Sequence, residues 1–185
     1  MKTKSIFSLF AMLTIIFPVM GQIQVNTNSK VEKGTQENYL LKKEGKNDKG
    51  DELISVGNAK NKWENEPLVI PQALRHPGYD NPSIFYRVDF KAIRSLIAPI
   101  ILAKTKNDEE LLMIDYYFTP DGIPKEVVFV TNESTGLSVR DFEKMEKAIL
   151  TNVRISPRRS DFNPFKGVPF VKISDMFRVV QLREL

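Results

Sequence analysis

The stretch from Leu112 to Thr131 constrains this 185-residue chain more than any other. Leu112, Ile114, Tyr116 and Phe118 alternate with Met113, Asp115 and Tyr117, so the first set lies on one face of a strand and the second on the other. Thr119-Pro120-Asp121-Gly122 then places proline and glycine where a tight turn needs a fixed φ and a positive one, and Val127 to Thr131 returns as the partner strand. A β-hairpin follows. After the polar loop Asn132 to Gly136, Ser138 with Asp141 three residues on matches a capping box, and Phe142, Met145, Ile149 and Val153 recur at helical spacing until Pro157 bars continuation.

The same patterning extends to both sides. Tyr86 and Val88 alternate with Arg87 and Asp89, while Phe90, Ile93, Ile97 and Ile100 recur at helical spacing; these predict a short extended stretch, then a helix capped by Asp89 and disturbed at Pro99. Beyond the second helix, a loop from Ile155 to Gly167 leads to a last strand, Pro169 to Leu182. The order is helix, hairpin, helix, strand, an α+β arrangement occupying the hydrophobic residues 67–185.

Upstream of Pro67 the character changes. Gln22 to Glu66 holds eight basic and eight acidic residues, with apolar side chains only in small groups such as Tyr39-Leu40-Leu41, and it reads as a flexible polar leader. Residues 1–21 read as a signal peptide, with Lys2 and Lys4 ahead of the apolar Ile6 to Phe17 and cleavage expected before Gln22. The apolar stretch Ile6 to Met20 has 15 residues, and a membrane-spanning helix needs about 20. Export to the periplasm or the cell exterior is therefore expected, with no stable membrane span after cleavage. Losing Lys2 and Lys4 lowers the formal charge from +4 to +2. That removes the electrostatic case for nucleic acid as a partner.

Catalysis and metal binding need positioned groups, and few are present. There is no cysteine, and His76 is the only histidine, set between Arg75 and Pro77 without a partner. The acidic run Asp108-Glu109-Glu110 lacks the alternating oxygen ligands and glycine of a calcium loop. No phosphate-binding glycine loop, G-x-S-x-G elbow or H-E-x-x-H pair occurs. The expectation is a non-enzyme with no cofactor and no metal. One loop is distinctive: Arg154, Arg158, Arg159 and Lys166 face a single acid, Asp161, beside Phe162 and Phe165. Arg158, Arg159, Phe162 and Phe165 are candidates for gripping a glycan or an anionic envelope polymer, with core phenylalanines and solvated arginines as the alternative.

The motifs Tyr117-Phe118-Thr119-Pro120-Asp121-Gly122, Val127 to Val130, Glu133-Ser134-Thr135-Gly136 and Gly167-Val168-Pro169-Phe170-Val171, in that order, resemble the C-terminal domain of TonB-type proteins of diderm bacteria. The resemblance covers about Leu111 to Leu182. It implies a small three-stranded antiparallel sheet in the order 2-1-3 with two helices on one face, the last strand at an edge where it recruits an extended peptide by strand addition. Val171, Ile173, Phe177 and Val179 are then the binding positions to test, and an envelope protein or peptide is the partner. The cleavable hydrophobic segment and the proline-free leader depart from the family's energy transducers and match small exported proteins built on this domain.

Overall fold

The computed structural model describes residues 29–71, 74, 82–159 and 161–185. The signal-peptide reading and His76 lie outside them. Among the described residues the elements run β1 (Ser29–Lys33), β2 (Asn38–Lys46), β3 (Glu52–Asn58), β4 (Tyr86–Arg87), α1 (Phe90–Leu102), β5 (Leu111–Phe118), β6 (Pro124–Asn132), α2 (Val139–Asn152), β7 (Ser156–Pro157), β8 (Val171–Arg178) and α3 (Val180–Arg183). No described helix is long and apolar enough to cross a membrane.

The hairpin forms as its sequence dictates. β5 pairs antiparallel with β6, setting Ile114 against Phe129 and Tyr116 against Val127. Gly122 in the turn has φ +84°, and a Cβ there would stand 1.8 Å from the Ile155 carbonyl oxygen, so glycine alone fits. Asp89 caps α1 by accepting from the Ala92 N–H at 2.9 Å. Pro99 lies inside α1 without ending it, because both Pro99 and Ser95, whose carbonyl loses its partner, face solvent. At α2 the Asp141 carboxylate accepts from the Ser138 N–H at 2.9 Å and its hydroxyl at 2.6 Å, closing the capping box. Ile93, Ile97 and Ile101 of α1 and Phe142, Met145 and Ile149 of α2 pack in one core with Leu112, Ile114, Tyr116, Phe118, Val127 and Phe129.

The expected small three-stranded sheet with two helices is wrong. Among the described residues the main sheet has six antiparallel strands in the order β1-β2-β3-β6-β5-β8, β4 and β7 make a second, two-stranded sheet, and there are three α-helices. The extra half comes from the polar segment that composition marks as a flexible leader. β3 joins the outer edge of β6, pairing Ile54 with Thr131 and Val56 with Phe129. β2 then pairs with β3, and β1 with β2. Low apolar content misleads here because a strand with one solvated face needs only alternate residues inside, and the hydrogen-bond ladder supplies the rest. Tyr39, Ile54 and Val56 are those residues, and burial of Ile54 and Val56 contributes about 1.5–3 kcal/mol each.

Two glutamates of α2 fasten this added half. Glu143 accepts from the backbone N–H groups of Thr35, Gln36 (2.7 Å) and Glu37 (3.1 Å) in the β1–β2 turn. One helical turn on, Glu146 accepts from the Tyr39 hydroxyl and, at 3.4 Å, from the Asn58 amide. The last strand is also shorter than its hydrophobicity suggests, ending at Arg178 where the chain turns into α3.

Candidate functional site

β8 is the terminal strand of the sheet. It pairs with β5 along its whole length, from Val171 opposite Phe118 to Arg178 opposite Leu111, and among the described residues no strand pairs with its other side. An antiparallel edge strand directs alternate N–H and C=O groups outward, where they can template a further strand.

The side chains proposed for recognition do not face that edge. Val171, Ile173 and Phe177 are buried on the helix-facing side of β8, and Val179 is buried just past the strand as the N-cap of α3. Their alternation signals core. The opposite face of β8 carries Lys172, Ser174, Met176 and Arg178, with Met176 63% exposed. Asp175 interrupts the inward series. Its carboxylate takes a two-pronged bond from Arg94 of α1, from Nε at 2.9 Å and Nη2 at 2.5 Å, and the guanidinium lies 4.8 Å from the Phe177 ring centre. A buried ion pair thus ties the edge strand to α1. The only sequence signal for it is an acid at an inward phase of the strand.

The basic loop is brought together only in part. Arg158 and Arg159 are exposed, Phe162 is 47% exposed, and with Ile84 and Phe85 they surround a hollow of about 370 Å³. Phe165 is 2% exposed and packs in the core against Phe85 and Tyr86, so it is no part of the hollow. Arg154 is also elsewhere, donating to the Leu150 carbonyl at the end of α2. Arg159 grips Asp161 with Nε at 3.2 Å and Nη2 at 2.8 Å, which holds that carboxyl below the usual range. Among the described residues Arg158 and Lys166 form no ion pair.

The sheet face opposite the helices forms a trough of about 470 Å³ that composition gave no reason to expect. Within it Lys42 pairs with Glu64 at 2.7 Å and Lys172 with Asp115 at 2.8 Å, while Ser55 donates to Glu44 at 2.5 Å. Trp63 lies at one end, stacked on Phe170 at 5.4 Å between ring centres. Its turn is held by Glu126, which accepts from the N–H groups of Lys62 (2.8 Å), Trp63 (2.9 Å) and Glu64 (3.3 Å). Among the described residues no cluster of three or more histidine or acidic side chains stands close enough to hold a metal ion.

No protein-family model matches this chain, and no curated protein matches it in sequence. Among solved structures, its fold is similar to that of a DUF5043 family protein from Bacteroides uniformis, with a TM-score of 0.59, 16% identity, and coverage of 82% of this chain and 85% of that one. That relative belongs to a family defined by a domain of unknown function. At this identity the likeness is one of fold alone.

Proposed function

We propose that this chain is an exported, non-catalytic binding domain that takes an extended segment of an envelope protein or peptide onto the edge of β8 that no described strand pairs with. The observation that carries the reading is the position of β8 as the last strand of the main sheet. Strand addition is also what the TonB-type motifs at Thr119 to Gly122 and Gly167 to Val171 imply for a last strand. Recognition then runs through the β8 backbone and its outward residues Lys172, Ser174, Met176 and Arg178, because the inward ones are occupied by the core. Absence of cysteine and a single histidine agree with a binding role.

Hydrogen exchange across β8 tests the proposal. About half of its amides point away from β5 and exchange fast in the free protein. Adding an extended peptide that binds slows those amides over Val171–Arg178; binding with protection confined to other elements refutes strand addition. Export has its own test. The mature chain begins at Gln22 in a soluble periplasmic or secreted fraction, and recovery with Met1 in a membrane fraction overturns that part.

A further inference from the structure

We propose that the hollow between the Pro82–Ile84 turn and the side chains of Arg158, Arg159 and Phe162 selects the partner, admitting a segment in which an acidic residue adjoins a large apolar one. This deepens the strand-addition reading and rests on it. Pro82–Ile84 packs against β8 and also lines the hollow through Ile84, so this turn is a wall shared by the strand and the hollow.

The hollow has two kinds of surface. Ile84 and Phe162 are large apolar side chains left partly in water, and with Phe85 they make a lining for an aliphatic or aromatic side chain. Arg158 and Arg159 supply the charge. Guanidinium groups suit carboxylates because two parallel N–H bonds match two oxygens, and Arg159 already holds Asp161 in that manner within its own loop. Asp161 therefore stands as an internal imitation of the ligand. Arg158 has no such partner among the described residues, so its guanidinium is the group that an acidic residue of the partner would meet.

Carboxylate recognition next to a free strand edge favours a polypeptide over a polysaccharide or a lipid surface. A peptide extending β8 delivers its flanking side chains to Ile84 and Arg158 without a separate binding event, which raises their effective concentration. A glycan or a membrane has no strand to add and gains nothing from the shared wall.

The test uses synthetic decapeptides of alternating threonine and valine, one series carrying Glu-Phe-Glu at either end and the other the isosteric Gln-Phe-Gln. They are titrated against the purified chain by fluorescence anisotropy, with hydrogen exchange on β8 as the second readout. The acidic series is expected to bind at least tenfold tighter, with the ratio shrinking as salt is added. In Arg158→Glu, whose side chain is exposed and which melts as the parent does, the ratio falls below threefold while β8 stays protected. Equal affinity of the two series with β8 protected overturns the acidic selectivity and leaves strand addition standing. Failure of both series to protect β8 overturns strand addition, and this inference with it. Arg158-dependent binding of heparin or anionic vesicles in preference to the acidic peptides overturns the choice of a peptide as occupant.

Discussion

Removal of Arg94 should be among the most damaging single changes outside the hydrophobic core. The Asp175 side chain is 4% exposed and that of Arg94 20%, so the two ends of the pair are unequal. In Arg94→Met the Asp175 carboxylate stays buried without its two-pronged partner, and breaking a buried pair from one side costs about 3–5 kcal/mol. Loss of the guanidinium contact with Phe177 falls within that sum. For a domain of this size such a loss lowers Tm by roughly 6–20 °C. Asp175→Leu should cost less, because Arg94 retains a fifth of its surface in water and can swing outward. Combining the two changes should recover most of the loss, since an apolar pair of similar volume removes both desolvation penalties. Urea unfolding of the four proteins, followed through the single tryptophan Trp63, measures all three values. A cost below about 1 kcal/mol for Arg94→Met, or a double variant as unstable as the sum of the singles, refutes the assignment of a buried, coupled pair.

Four further outcomes can be checked by urea unfolding or by amide exchange. Burial opposes ionisation of Glu143, but the Thr35, Gln36 and Glu37 N–H groups together pull its carboxyl below the usual value. Its contribution is thus present above about pH 4.3, the unfolded glutamate value, and is lost as pH falls through the folded value; the protection of amides 35–37, taken relative to the intrinsic exchange rate at each pH, should fall in acid, and in Glu143→Gln at neutral pH. Burial pushes Glu146 the other way, and the Tyr39 hydroxyl partly offsets it. Tyr39→Phe should therefore raise the Glu146 carboxyl further, so its stability deficit grows from pH 4.5 to pH 7.5; a deficit that shrinks over that range contradicts the sign. Gly122→Ala should destabilise by more than about 3 kcal/mol or fail to fold, since both the positive φ and the Ile155 carbonyl exclude a Cβ. Tyr116→Phe should be neutral or stabilising by up to about 1 kcal/mol, because the buried hydroxyl has no hydrogen-bond partner among the described residues.

The parts legible in the sequence are those whose signals are local. Leu112 to Thr131 announces its hairpin through period-two alternation and a Pro-Asp-Gly turn, and Ser138 with Asp141 announces the start of α2. The candidate site was less legible. Val171, Ile173 and Phe177 stand out as hydrophobic, and for that reason they belong to the core. Phe162 and Phe165 look equivalent in sequence, yet one lines an exposed hollow and the other packs on Tyr86.

The polar N-terminal segment marks the boundary between the two kinds of information. Its turn between β2 and β3 rests on local contacts: Asn47 accepts from the N–H groups of Lys49 and Asp51, and Gly50 takes φ +86°. Its strands were not, because Tyr39, Ile54 and Val56 are too few to order the segment alone. They become sufficient only when β6 offers an edge and α2 offers Glu143, Glu146 and an apolar face. Sequence by itself determined the turns, the caps and the alternation of the hairpin, since each rests on contacts a few residues apart. The tertiary structure alone decided that the sheet has six strands among the described residues, that β8 lies at the edge of those six, and that Asp175 meets Arg94, since each depends on which distant surface arrives to pair.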